Sequence, residues 1–367
     1  MTTTSNLMEL LWRLPVFAMG AAIAAAALLS AIRTFVLPRS AVDFITRWTF
    51  LATRRLFMLR LRFSHTYTER DRIMAYYAPI SLLLLLPVWL FLTEIGFSFM
   101  FWASGTGSYF EAFTVSGSSL LTLGFARQEG WLAINLSLVE AVIGLIEVAL
   151  LIAYLPTMYS AFSQREQAVT MLEVYANTPP SAVDMISRLQ RIRGLGGLQD
   201  FWERWEGWFA GLAESHTSLA ALVFFRSPVP EQSWITAAGA VLDAAAFLQS
   251  TVDIPNTPEA SLCLRAGYVA LHRIADTFRL DYNPRPQFPN DPISITREEF
   301  NEACATLAAQ SVPLKPDLDQ AWIDFAGWRV NYDQVLLLLC SMTMAPSARW
   351  SADRAPAFRI PRLFGQR

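Results

Sequence analysis

Gly105-Thr-Gly-Ser-Tyr-Phe-Glu-Ala-Phe-Thr-Val-Ser-Gly-Ser-Ser-Leu-Leu-Thr-Leu-Gly-Phe-Ala126 lies between two long apolar stretches, and its reading decides the fold. It opens on Ser108-x-x-Glu111, the pattern of a reciprocal helix cap, so a short helix is predicted to start at Tyr109. That helix should end near Ser119, about ten residues on, whereas a bilayer core takes about 20 helical residues to cross. The residues after it, Thr122-Leu-Gly-Phe-Ala126, read as extended backbone running back out. Irregular backbone at membrane depth is tolerated only where protein or water surrounds it. A half-length helix followed by extended chain, between two full spans, reads as a re-entrant loop.

The flanks supply the spans. Apolar runs from Leu14 to Leu37, from Ile73 to Ala103 and from Trp131 to Phe162 are each long enough to cross a bilayer. The first has Trp12 and Arg13 at one end and Arg33 and Arg39 at the other, as membrane interfaces favour. It has no positively charged leader and is too long for a cleavable signal, so it is expected to remain as an anchor. The loop after it carries arginines from Arg39 to Arg72 against few acids, which places it in the cytoplasm, the N-terminus outside and everything after Phe162 inside. From Val42 to Phe63 this loop is predicted to form an interfacial amphipathic helix, with Phe44, Trp48, Leu51, Leu56 and Leu59 towards lipid.

Span, short helix, Thr-x-Gly-aromatic, span is an order that resembles the two-helix pore domain of the potassium-channel superfamily. Thr122-Leu123-Gly124-Phe125 resembles the filter motif Thr-Val-Gly-Tyr. The resemblance covers residues 75 to 165. It implies a homotetramer around one pore, with K⁺ held by the carbonyls of Thr122, Leu123, Gly124 and Phe125 and by the Thr122 hydroxyl. Ala126 stands where the family has a second glycine, and Arg127 where it has an aspartate. An arginine ring there would repel cations unless paired with Glu129 or Glu111, so the resemblance implies the pore-loop fold more directly than strict K⁺ selectivity. In the third span, Glu140, Gly144, Glu147 and Leu151 recur at helical spacing and share a face. The resemblance makes Gly144 a gating hinge and Pro156 a second bend. Glu147, and less directly Glu140, would either ring the cavity or hydrogen-bond to the back of the short helix.

The chain of 367 residues has 53% hydrophobic residues and a mean hydropathy of +0.32, an excess concentrated before residue 165. A net charge of -2 gives no reason to expect nucleic acid as a partner. Lys315 is the only lysine. Cys263, Cys304 and Cys340 lack metal-type spacing and read as reduced, buried thiols. His65, His216 and His272 are too scattered for a metal site or a triad, and no cofactor beyond pore K⁺ is expected.

After Phe162 the third span continues outward to Glu173 without a break, and Asn177-Thr-Pro-Pro180 ends it. Helical patterns follow at Ser181–Arg193, Gln199–Phe225, Glu231–Ser250, Pro258–Leu280, Arg297–Gln310 and Asp317–Met342. Thr296-x-x-Glu299 is a second capping pattern. Phe201, Trp205 and Trp208 share one face, as core or subunit interface. Gly194-x-Gly-Gly197 follows no strand, so it ends a helix and is not a dinucleotide fingerprint.

The expected fold is an all-α membrane protein: a pore-loop channel unit (outer helix, pore helix, filter, inner helix) plus an all-helical cytoplasmic domain. Its parts are an N-terminal transmembrane helix at 1–38, a basic cytoplasmic or interfacial segment at 39–72 and the pore domain at 73–164. A linker helix at 165–180, the cytoplasmic domain at 181–345 and a flexible tail at 346–367 complete it. The expected activity is a tetrameric cation channel, K⁺-conducting, gated through the cytoplasmic domain, with membrane lipids and an unidentified cytoplasmic regulator as partners. The alternatives are a non-conducting receptor or scaffold that kept the pore fold, and a potassium-uptake transporter subunit; the latter carries four pore loops per chain against one here. No nucleophile–base pair, metal cluster or phosphate loop suggests an enzyme.

Overall fold

The computed structural model describes residues 2–37, 43–255 and 257–356, with side chains from Leu11 onward. Arg39, Val42 and Asn256 lie outside the described residues, as does the chain after Pro356. Among the described residues the chain is helical throughout, and its only strand-like pairing is one isolated antiparallel bridge between Val252 and Leu314. The chain divides into two compact units, residues 1–64 with 75–159, and residues 65–74 with 160–367.

The first unit contains α1 (Thr2–Phe35), α2 (Phe44–Leu61), α4 (Tyr77–Ser104), α5 (Tyr109–Leu120) and the first part of α6 (Trp131–Ala176). Three stretches are long and apolar enough to cross a membrane: Leu11–Phe35, Tyr67–Ser104 and Trp131–Ala176. α1 and α4 approach closely because small residues line the seam. Ala24, Ala27 and Ala31 are buried along one stripe of α1, and Gly20 lies a turn before them. A Cβ on Gly96 would fall 2.7 Å from the Gly20 carbonyl oxygen and 2.8 Å from the Ala24 nitrogen. Both are backbone atoms that cannot swing aside. Where lipid removes the hydrophobic drive between helices, such close backbone approach supplies the packing. Gly96→Ala is therefore expected to cost about 1–3 kcal/mol through overpacking. Thermal unfolding in detergent checks it.

α2 matches the amphipathic helix expected of the basic loop. Its inward side holds Thr46, Thr53, Arg54 and Leu61, while Phe44, Leu56 and Leu59 face outward. Trp48 and Leu51, also expected towards lipid, are half-buried.

The second unit contains α3 (Tyr67–Ala75) up to Met74, the end of α6, and α7 (Ala182–Arg193), α8 (Gln199–Ser218), α9 (Trp234–Ser250), α10 (Pro258–Thr277), α11 (Arg297–Ala309), α12 (Leu318–Arg329) and α13 (Asp333–Thr343). α3 belongs here through Asp71, which pairs with Arg226; the same guanidinium donates to the Thr343 carbonyl at 2.8 Å. α9 is buried almost all round, so an alanine-rich helix with no polar face forms the centre of this unit. Phe201 and Trp205 of α8 are buried and Trp208 is partly buried, continuing an aromatic ladder that begins at Tyr175. These rings are core. All three cysteines are free and buried, and burial pushes the Cys304 thiol up to about 11.

Three features of this unit depart from the sequence expectation, the first being that Gln199–Phe225 is α-helical only to Ser218, with a separate 3-10 turn at Ala220–Phe224. Asp317–Met342 is two helices, α12 and α13, separated by a turn at Asn331 and Tyr332. The break lets Arg329 and the Tyr332 hydroxyl converge on Asp243 of α9, the hydroxyl at 2.8 Å. Residues from Pro346, expected to be loose, pack down to Arg354. Trp350 is buried, its ring stacked on Phe247 with centroids 5.7 Å apart, and Arg354 pairs with Glu299.

The Thr296–Glu299 capping box is present, and the Arg354 hydrogen bonds hold the Glu299 carboxyl down at about 2, against an ordinary 4.5. A depressed carboxyl stabilises the fold above its unfolded value and loses that contribution as pH falls through the folded one. Glu299→Gln should therefore lower stability at neutral pH and flatten the acid loss between pH 4.5 and about 2. Unfolding temperatures of both proteins across that window provide the check.

Candidate functional site

The loop from Gly105 to Gly130 is built as its capping pattern implies. Ser108 Oγ accepts from the Glu111 amide at 3.3 Å, and Glu111 Oε2 accepts from the Ser108 amide at 2.9 Å. Two of the four orphan amides at the start of α5 are thereby satisfied, and the Glu111 charge sits at the positive end of the helix. The ends of the loop meet at the Thr106 hydroxyl, whose single proton is shared between the Phe101 carbonyl, 2.8 Å away, and Gln128 Oε1.

α5 is held against both long helices of its unit. Ser116 Oγ lies 3.0 Å from the Glu94 carbonyl oxygen on α4 and 2.5 Å from Glu140 Oε1 on α6. Thr93 Oγ1 donates to Glu147 Oε1 at 2.8 Å. Glu140, Gly144, Glu147 and Leu151 are all buried, on the one face that their spacing implied. Gly144 is where α6 crosses the end of α5: a Cβ there would stand 2.5 Å from the Leu120 carbonyl oxygen. Pro156 lies inside α6, which runs through it without a break. Glu140 thus bonds the back of the short helix, and Glu147 bonds α4. Each keeps its second carboxyl oxygen buried without a hydrogen-bond partner among the described residues.

Beyond α5 the backbone does not run straight. Leu121 caps the helix, Thr122 takes φ +56° and Gly124 φ +72°. The amides of Leu123 and Gly124 both donate to the Ser118 carbonyl, at 2.9 and 3.2 Å, and the Ala126 amide donates to Ser118 Oγ at 3.0 Å. The expected extended strand is a tight wrap, because carbonyls at a helix C-terminus lack intrahelical donors and recruit the amides that follow. Ser118, which carries this wrap, escaped the sequence reading, as did Ser116, Thr93 and the Thr106–Gln128 tie. Small hydroxyl residues on an apolar helix announce no partner.

The wrap leaves Thr122, Leu123, Gly124 and Phe125 exposed, with Ala126 half-buried. Among the described residues no hydrogen bond reaches the carbonyl oxygens of Thr122 to Phe125. Leu123 and Phe125 are 61% and 68% exposed, so this rim is also strongly apolar. The negative end of the α5 dipole lies beside these oxygens, an arrangement that favours a cation. Arg127 is exposed and, among the described residues, pairs neither with Glu129 nor with Glu111, whose carboxylate is engaged in the cap, so its charge opposes a cation at this rim and works against the helix dipole. The candidate ligands for a cation are therefore backbone oxygens. No family model matches the chain, and no curated protein or solved structure matches it either.

Proposed function

We propose that four copies of this chain surround one pore and conduct cations, K⁺ in preference to Na⁺, through the Thr122–Phe125 segment. One observation carries the reading. Four consecutive carbonyls without partners among the described residues follow a capped half-length helix that is wedged between two apolar helices of membrane-crossing length. Backbone carbonyls satisfy a dehydrated K⁺ as they would an amide, and the exposed apolar rim at Leu121, Leu123 and Phe125 suits cover by neighbouring copies. The arginine excess from Arg39 to Arg72 supports an N-terminus outside and a C-terminal unit in the cytoplasm. α6 is one uninterrupted helix from the third span into the C-terminal unit, a direct route for gating. Glu147 is left out of the ion path, because its side chain is buried and bonded to Thr93.

The test is flux from proteoliposomes under K⁺ and Na⁺ gradients, read beside subunit stoichiometry in detergent. A tetramer with a reversal potential that follows K⁺ is the expected result. A monomeric particle, or a tetramer that passes no monovalent cation, overturns the proposal; the second outcome favours a scaffold that kept the fold.

A further inference from the structure

α2 packs against the last turns of α1 and the first turns of α4. Asp43, its N-cap, accepts from Ser30 Oγ at 2.5 Å, the Thr46 and Thr34 hydroxyls lie 2.7 Å apart, and the Tyr77 hydroxyl donates to the Phe50 carbonyl at 3.3 Å. Ring contacts of Phe50 and Phe57 with Tyr77, and Arg54 over the same ring, hold the inner face. A helix tied to the end of one apolar helix and the start of the next lies at the depth where both leave the hydrocarbon.

Its outer face has two flanks. Leu56, Leu59 and Phe63, spaced three and four apart, form an exposed apolar edge. Arg47, Arg55 and Arg62, spaced eight and seven apart, form an exposed row beside it. None of these three guanidiniums has a hydrogen-bond or ion-pair partner among the described residues. Asp43 is the only acid between Phe35 and Phe63, and its carboxylate is engaged at the cap. A row of exposed cations, unpaired among the described residues, beside an apolar edge is complementary to a phospholipid surface whose phosphates are not neutralised by a headgroup amine.

We infer that the outer face of α2 is a docking surface for anionic phospholipid headgroups, with Arg47, Arg55 and Arg62 as the phosphate ligands. Guanidinium forks grip phosphate bidentately while the apolar edge enters the acyl boundary. Each arginine near an anionic surface strengthens attraction about fivefold, so the row of three supplies about a hundredfold preference for anionic over zwitterionic lipid. The inference rests on the membrane placement of the apolar helices and needs no ion flux, so it stands or falls apart from the channel proposal.

The test uses the full chain in neutral detergent, titrated with phosphatidylglycerol, phosphatidylcholine or inorganic phosphate, with unfolding temperature as the readout. Phosphatidylglycerol is expected to raise it by about 5 °C, and the other two by far less. The triple variant Arg47→Gln, Arg55→Gln, Arg62→Gln should lose most of that increment with its lipid-free unfolding temperature unchanged, since the three side chains bond nothing among the described residues. The triple lysine variant keeps the charge and should keep at least half of the increment, and it serves as the comparison if the glutamine variant does not fold. Equal stabilisation by phosphatidylcholine or by inorganic phosphate overturns the inference. So does no shift with phosphatidylglycerol, a glutamine variant that retains the full increment, or a lysine variant that loses it.

Discussion

Arg329→Met should cost the C-terminal unit about 3–5 kcal/mol, enough to lower its unfolding temperature by about 10 °C. Arg329 is fully buried and serves three elements at once. It pairs with Asp243 of α9, holds Asp333 at 2.7 Å, and donates to the Trp350 carbonyl at 2.5 Å. Burial opposes its charge, but Asp243 and Asp333 outweigh burial and keep the guanidinium above the ordinary arginine value. Removing it strands Asp243 with only the Tyr332 hydroxyl, while Asp333 retains the Ser294 amide and hydroxyl at 3.0 and 2.7 Å. Most of the cost is therefore an unpaired carboxylate in the core, not the loss of an attraction. A discriminating companion follows. Arg329→Met combined with Asp243→Leu removes the stranded charge and should recover more than half of the loss. Denaturant unfolding followed by tryptophan fluorescence reads both variants, since Trp350 and Trp234 lie in this core. A single variant that loses less than about 1 kcal/mol would show that the cluster is not what holds the tail and α9 together.

A second buried arginine follows the same logic. Arg165 pairs with Glu166 at 2.7 Å and donates to the carbonyls of Leu222 and Phe225 at 2.9 and 2.8 Å. Burial, then the Arg165 charge, keep His216 well below the ordinary imidazole value. The His216 Nε2 lies 3.2 Å from Arg165 Nη1. Nothing in the sequence paired these residues, which stand 51 positions apart.

What was legible from sequence was local. The two capping boxes, Ser108–Glu111 and Thr296–Glu299, involve four-residue windows, and both form as read. Apolar runs of membrane-crossing length need no partner to be recognised, and the Glu140–Leu151 face follows from helical geometry alone. What was missed depends on residues far apart in the chain. The turn at Asn331 and Tyr332 has no glycine or proline to mark it; it exists because Arg329 and Tyr332 must both reach Asp243. Trp350 lies in a stretch rich in arginine and proline, and only the distant Phe247 ring makes it core. The Gly20–Gly96 approach is hidden in a run of alanines that hydropathy reads merely as apolar. At the candidate site, Thr122-x-Gly124 marked the place, but the wrap around Ser118 could not be read, since any short side chain looks alike on an apolar helix.

Under the channel proposal, Gly124→Val is expected to lower K⁺ flux more than tenfold while leaving subunit stoichiometry and helix content as in the parent chain. Gly124 sits at φ +72°, where a Cβ costs about 1–2 kcal/mol and a β-branched side chain more. No heavy atom lies within 4 Å of where that Cβ would be, so the penalty is conformational and not a clash. The cheapest relief is to rotate the peptides on either side of residue 124, which changes where the Leu123 and Gly124 carbonyls point. α5 keeps its cap at Ser108 and its tie to Glu140, neither of which involves residue 124. Gly194→Val is the matched control: it also has φ +72° and nothing near its Cβ, but lies after α7 in the C-terminal unit. If strain alone mattered, the two variants would lose flux alike. Loss confined to Gly124→Val ties conduction to the carbonyls of Thr122 to Phe125. Full flux through Gly124→Val would mean that ions, if they cross at all, take a path these four oxygens do not line.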